Sequence, residues 1–287
     1  MKGLKIGGVP EHFNLPWKLA IEEGRFREIG LDLHWSDMSG GTGQMIRGLE
    51  SGSIDIAVLL TEGITKSILE GLKAKILQVY VVTPLHWGIH VPYNSDIKTV
   101  DQLKGKTFAI SRKGSGSHLM AYVKAGQEGW NPKELKFNVV GDIYGGLWAL
   151  ENNEAQGFLW EKYTTFPFTE QGKCRYIDEV VTPWPCFVIA VRDEIIDLHA
   201  DFLKQMCEIV NKKALEVKNN ENTVEVISWR YNLRSGQVEN WLIETDWNYE
   251  GIEYPLAFDK TIRFLLKLDL LKEDQAEGWQ QKLFYTN

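Results

Sequence analysis

Residues 105–126 read GKTFAISRKGSGSHLMAYVKAG. Thr107–Ile110 is a short strand-compatible run, Ser111–Gly116 is a turn of glycines and serines, and a helix follows from Ser117 carrying Leu119, Met120, Tyr122 and Val123. Strand, turn and helix in that order aim several unpaired backbone N–H groups, and the positive end of a helix dipole, at whatever lies beyond the turn. Ser115 and Ser117 add hydroxyls there, and His118 adds an imidazole. The stretch reads as a ligand-gripping turn inside a parallel α/β unit.

The same grammar extends in both directions. Upstream, strands are expected at Leu4–Val9, Leu31–Trp35, Ile54–Leu60 and Ile76–Val82. Helices are expected at Leu15–Glu28 with a break at Gly24, at Gln44–Ser51, and from Thr61 through Leu72. Downstream, Leu135–Val140 and Gly157–Trp160 read as strands and Leu147–Asn152 as a helix. The two halves repeat in pattern: Phe108 stands to Ile6 as Gly126 stands to Gly24, an offset of 102 in both cases (108−6 and 126−24). Val82–Pro92 and Thr182–Val191 are apolar, proline-marked and extended, and read as two strands crossing between lobes. Helical periodicity then returns at Glu194–Val217, Thr223–Tyr231, Gly236–Thr245, Leu256–Leu268 and Asp274–Leu283. The expected fold class is α/β, with two lobes joined by two crossing strands and the C-terminal helices on lobe one. Residues 1–84 form the first part of lobe one, 85–187 lobe two with the hinge strands, and 188–287 the second, mainly helical part of lobe one.

Composition narrows the function. The 287 residues, 44% hydrophobic and 25% charged, are those of an ordinary globule with room for two cores. A net charge of −7 with scattered basic residues argues against nucleic acid, whose phosphates need clustered Lys and Arg. Cys174, Cys186 and Cys207 have no metal-ligand spacing and fit reduced thiols better than a disulfide frame. No apolar run is long enough to span a bilayer, so membrane insertion is not expected. Met1-Lys2 leads almost directly into the first strand, with no apolar leader region. The expectation is therefore a cytoplasmic protein if Met1 is the native start, and a periplasmic or lipid-anchored one if a leader was removed.

Several motifs fail on inspection. Gly105-Lys106-Thr107 resembles the end of a phosphate-binding Walker loop, but position 100 is Val and a strand, not a helix, follows. His86 and His90 sit in a strand-like run, where four residues span about 13 Å, too far to share one metal ion. No metal and no cofactor is expected. What remains is six strand-to-helix turns: Val9–Trp17, Ser39–Gln44 and Thr61–Gly63 in lobe one, and Ser111–His118, Asp142–Gly146 and Trp160–Thr164 in lobe two. Open parallel sheets bind ligands beyond the carboxyl ends of their strands, where such turns collect. Taken singly, each turn fits an ordinary helix cap as well.

The stretches LPWKLAIEEGRFREIGLDL, SGGTGQMIRGLESGSIDIAVL, VDQLKGKTFAISRKGSGSH and GFLWEKYTT resemble the substrate-binding proteins of nitrate, sulfonate and taurine ABC transporters and their thiamine-pyrimidine relatives. The likeness covers about residues 4–192, and the helical tail by architecture only. It implies the type II periplasmic-binding-protein fold, a two-lobed clamshell that closes on a small molecule. By position it implies ligand contacts from Pro10, Glu11, His12, Phe13, Gly41, Thr42, Thr61, Glu62, Ser115, Ser117, His118, Asp142, Trp160 and Glu161, and none of these is assigned a catalytic role. An ABC permease is the implied partner if the protein is secreted. The cysteine-rich iron-binding motif of the eukaryotic pyrimidine synthases on this fold is absent from the sequence.

Helix N-termini with Arg112 and His118 point to an anionic group, while Glu62, Asp142 and Glu161 point to an amine or protonated ring nitrogen. A sulfonate, a carboxylate or a pyrimidine-like molecule meets one or both demands. A helix terminus contributes about 0.3–1 kcal/mol, whereas micromolar binding needs about 8 kcal/mol. Stacking and water exclusion must supply much of the rest, which favours an organic ligand over nitrate. The leading expectation is a solute-binding protein that performs no chemistry. The alternatives are a cytosolic enzyme of cofactor metabolism on the same fold, with His118 or His12 as general base beside Glu161 or Glu62, and a cytosolic ligand sensor.

Overall fold

The computed structural model describes residues 2–251 and 255–285. Met1, on which the localisation expectation turns, lies outside them. By its contacts the chain divides into unit one, Met1–Pro84 with Pro183–Asn287, and unit two, Leu85–Thr182.

Unit one opens with β1 (Lys2–Gly8), a short 3-10 turn (His12–Asn14), α1 (Leu15–Glu22) and α2 (Arg25–Glu28), separated at Gly24. It continues with β2 (Leu31–Asp37), α3 (Gly41–Ser51), β3 (Ile56–Leu60), α4 (Thr61–Leu69) and β4 (Ala74–Val81). Unit two holds β5 (His86–Pro92), β6 (Thr107–Ile110), α5 (Gly116–Gln127), β7 (Lys136–Val139), α6 (Ile143–Glu151), β8 (Gly157–Glu161), α7 (Lys162–Glu170) and β9 (Cys174–Val181). The return to unit one brings β10 (Phe187–Arg192), α8 (Asp193–Asn219), α9 (Thr223–Tyr231), α10 (Ser235–Glu244), α11 (Pro255–Lys267), α12 (Glu273–Ala276) and α13 (Trp279–Leu283).

Each unit carries a five-stranded sheet, in the order β2-β1-β3-β10-β4 in unit one and β7-β6-β8-β5-β9 in unit two. In both, three parallel strands are followed by one strand running antiparallel to its neighbours on either side. The register reproduces the offset read from the sequence. Ile6 pairs with Trp35 and Ile56, and Phe108 pairs with Phe137 and Gly157. Because β1 is followed in chain order by β2 on one side and then β3 on the other, right-handed crossovers send α1 and α3 to opposite faces of the sheet. Accordingly α1 and α2 pack with α8, whereas α3, α11 and α13 pack with α4. The unit-one core is built on Ile6, Leu31, Ile56, Val58, Val188 and Ile189, and that of unit two on Phe108, Leu119, Met120, Phe158 and Leu159, all fully or almost fully buried.

The structure departs from the sequence pattern in four places. The chain re-enters unit one at Pro183, against an expected boundary at 187/188, because Pro183–Cys186 is tied to α4: Thr61 Oγ1 donates to Pro185 O at 2.5 Å and Thr61 N–H to Cys186 O at 3.0 Å. Helix α6 starts at Ile143 and not at Leu147, since Asp142 caps it. The stretch expected as one helix over Asp274–Leu283 is two, α12 and α13, split near Gly278. Helix α7 and strand β9 fill a stretch, 165–181, to which the pattern assigns no element.

Candidate functional site

In unit two the turn after β6 folds on itself through its serines. Ser111 N–H donates to Ser117 Oγ at 3.0 Å, Ser115 and Ser117 hydroxyls lie 3.0 Å apart, and Ser115 Oγ accepts the His118 N–H at 3.4 Å as the N-cap of α5. Gly114 N–H donates to His118 Nδ1 at 3.0 Å, so that nitrogen is an acceptor and the ring proton sits on Nε2. The imidazole stands edge-on to Phe137 and Tyr122, at centroid distances of 4.5 and 5.0 Å. Burial, aided by Lys113, pushes its pKa down to about 4, so His118 is neutral at pH 7. The turn opens a twelve-residue helix whose His118 amide is capped by Ser115, with Arg112 half-buried and Lys113 exposed beside it.

The other lobe-two candidates cap helices or pack. Asp142 Oδ1 accepts Gly145 N–H at 2.9 Å at the start of α6. Glu161 accepts from Tyr163 N–H at 3.1 Å, and from Thr164 N–H and Thr164 Oγ1, both at 2.6 Å. Burial raises its pKa and these hydrogen bonds oppose the rise. Three donors on one buried carboxyl mark Glu161 as the anchor of α7, with little capacity left for a ligand. Trp160 is half-buried against the unit-two core, its ring 5.5 Å from that of Phe158.

In unit one the candidates occupy the carboxyl ends of β1, β2 and β3. Pro10 is exposed and Glu11 half-buried, whereas His12 and Phe13 are buried. Phe13 O accepts from Tyr80 Oη at 2.9 Å and Trp247 Nε1 at 3.2 Å, which fixes the turn to the body of the unit. His12 stacks on Phe13, and burial pushes its pKa down to about 3. Gly41 starts α3 with a left-handed φ of 63°, a conformation that suits glycine. Thr42 Oγ1 accepts Leu60 N–H at 3.3 Å, bringing the α3 and α4 N-termini together. Thr61 is spent on the Pro185 segment. Glu62 is 1% exposed; its Oε2 accepts from Trp184 Nε1 at 2.9 Å, its Oε1 has no partner, and burial pushes its pKa up to about 7.

Three residues beside these candidates carry no local signal in the sequence. Trp184 reaches Glu62 across 122 positions, and Tyr231 and Trp241 meet His12 from the helical tail. Only the tertiary fold assembles them. A cavity of about 580 Å³ lies elsewhere in unit one, where β4 begins and β10 ends, lined by Leu49, Glu50, Glu70, Lys73, Arg192 and Asp193. It contains none of the candidate residues and lies at the opposite end of the sheet from the strand-end turns. Among the described residues no group of His, Cys, Asp and Glu is arranged to hold a metal ion, and no helix is long and apolar enough to cross a membrane.

The comparisons agree with this topology. A family model described as Ca3427-like PBP matches residues 87–180, almost the whole of unit two. The Candida albicans CA3427 gene product, described as exhibiting the generic periplasmic binding protein fold, superposes with a TM-score of 0.90 at 24% identity, covering 99% of this chain and 96% of that one. The alkanesulfonate-binding protein SsuA from Xanthomonas axonopodis pv. citri, bound to MOPS, gives a TM-score of 0.80 at 17% identity and covers 95% of each chain. The nitrate-binding protein NrtA from Synechocystis PCC 6803 gives 0.76 at 16% identity, over 98% of this chain and 86% of that one. No curated protein matches the sequence. The chain has the type II periplasmic-binding-protein fold, the two-sheet α/β architecture of these neighbours.

Proposed function

We propose that the protein is a solute-binding protein for a small organic ligand, of the ABC-transporter substrate-binding type. The observation that carries the reading is the turn before α5. There two serine hydroxyls, the neutral His118 and the start of a twelve-residue helix are gathered in one turn, a set of groups that suits one oxyanion group of a ligand, a carboxylate or sulfonate. The sulfonate- and nitrate-binding neighbours of the same fold support that choice of chemistry. An ABC permease is the matching partner if the protein is exported.

The enzyme alternative fares worse on chemistry. A general base works best with a pKa near the operating pH. His12 and His118 are held at about 3 and about 4, and the Glu161 carboxyl is engaged by Tyr163 and Thr164. Glu62, at about 7, has the right acidity but is 1% exposed and held by Trp184.

Native mass spectrometry of freshly purified protein, followed by calorimetric titration with MOPS, taurine and benzoate, tests the reading. The expected result is a small-molecule adduct or a saturable heat with one of these sulfonates or the carboxylate. Lys113→Gln should then weaken it about threefold or more, because it removes a charge without touching the packed turn. Neither an adduct nor a heat with any of the three defeats the proposal.

A further inference from the structure

Three ring side chains from separate elements of unit one meet behind the turn that follows β1. His12 stands edge-on to Trp241 of α10, with ring centroids 4.2 Å apart, and to Tyr231, the last residue of α9, at 5.9 Å. His12 and Trp241 are each 1% exposed. His12 Nε2, Tyr231 Oη and Trp241 Nε1 are all buried, and none has a hydrogen-bond partner. The adjoining rings behave differently, since Tyr80 Oη and Trp247 Nε1 both donate to Phe13 O. Buried polar atoms in folded proteins are nearly always paired, because leaving one desolvated and unpaired is destabilising. Three such atoms on neighbouring rings are costly unless something else meets them.

The chemistry of the three atoms limits what that is. Trp241 Nε1 only donates, Tyr231 Oη donates or accepts, and His12, kept neutral by burial, does either at Nε2. An ammonium group could donate to His12 and Tyr231 but has nothing to offer the indole N–H of Trp241. A full anion is poorly served: Glu11, Glu22 and Asp37 act on Tyr231 with one sign and Arg230 alone with the other. An uncharged oxygen can accept from Trp241 Nε1, and the hydrogen or second polar atom that a hydroxyl or carboxamide also carries suits Tyr231 Oη or His12 Nε2.

We infer that His12, Tyr231 and Trp241 form a hydrogen-bonding niche of unit one that takes an uncharged oxygen-bearing group of a small molecule, a hydroxyl or a carboxamide. The inference rests on the solute-binding reading only for the molecule that carries the group. The niche itself lies wholly within unit one, and it gives the helical tail a part in recognition that its sequence does not announce.

Acetamide is the probe and acetate its charged control, used with the full chain labelled with 15N at the tryptophan indoles. The Trp241 Nε1–H resonance is identified by its loss in Trp241→Phe. It shifts saturably with acetamide, while that of Trp229, which is 82% exposed, changes only linearly. Tyr231→Phe keeps the ring and loses about threefold or more in acetamide affinity. Acetate gives no saturable shift. A Trp241 response as linear as that of Trp229, an equal response to acetate, or unchanged affinity in Tyr231→Phe overturns the niche. The two readings fail separately: a protein that ignores MOPS, taurine and benzoate but passes the acetamide test loses the proposed solute class and keeps the niche.

Discussion

Glu62 is buried beside Trp184 with one carboxyl oxygen unpaired, and burial lifts its pKa from 4.5 to about 7 against the opposing hydrogen bonds of Trp184 and its own N–H. Below pH 4.5 the group is protonated in both the folded and unfolded chain and contributes nothing to pH dependence. Between 4.5 and 7 the folded state holds the proton that the unfolded state has released, so stability falls as pH rises, and above 7 the loss is complete. At about 1.4 kcal/mol per pKa unit the full effect is on the order of 3 kcal/mol. Three buried histidines act in the opposite sense. His12, His90 and His118 have folded pKa values of about 3, 4 and 4 against 6.5, so their stability is present above 6.5 and is lost as pH falls below it. The melting temperature should therefore peak near pH 6.5 and fall steeply on the acid side. Glu62→Gln should match the wild type at pH 4.5 and exceed it by pH 7.5. Thermal melts of both proteins across pH 4.5–8 check this, and parallel profiles would show that Glu62 does not titrate in that window.

At the scale of the element, α6 is the sharpest case. Its first turn brings Gly145 against the carbonyl of Val140, where a Cβ would stand 2.0 Å from the oxygen. That backbone cannot retreat, because Val140 N–H donates to Ile110 O of β6 at 2.9 Å. Gly145→Ala should therefore displace the helix start and the Asp142 cap together, and lower stability by about 1–3 kcal/mol. A urea midpoint equal to that of the wild type would contradict the geometry. The same helix shows how far the sequence was readable. Strands β1, β2, β3 and β6, with α5, followed from contiguous apolar runs and glycine turns, since local pattern and tertiary role coincide there. Helix α7, with the sequence KYTTFPFTE, has no clean apolar stripe and contains Pro167, which mimics a breaker. Strand β9 is half-buried along most of its length, with no in-and-out alternation to reveal it. Among the candidate site residues, Ser115, Asp142 and Glu161 were visible as turn residues, but cap and ligand contact share one residue chemistry. The partners of His12 and Glu62 were invisible because they arrive from Trp184, Tyr231 and Trp241, far along the chain.

At the scale of the whole molecule, the path of the chain makes unit two a candidate for independent folding. All five strands of its sheet lie within 85–182, as do its helices α5, α6 and α7 and its buried cluster around Phe158, Leu150 and Ala109. Its ends are neighbours: His86 pairs with Val181 across β5 and β9, Thr182 N–H donates to Leu85 O at 3.1 Å, and Leu85 N–H donates to Thr182 Oγ1 at 2.8 Å. A fragment cut at 84/85 and 182/183 therefore severs no strand and keeps its termini side by side, the arrangement expected of an insertable domain. Unit one has the complementary weakness. Strand β10 sits between β3 and β4, yet it is supplied by chain that has first passed through unit two. Residues 1–84 alone would leave β3 and β4 without their shared neighbour and α1 without α8. Expressed separately, 85–182 should give an α/β far-ultraviolet circular dichroism spectrum and a cooperative urea transition, while 1–84 should give neither. A non-cooperative melt of 85–182 would mean that its core depends on residues outside 85–182, and would remove the basis for treating the molecule as two folding bodies.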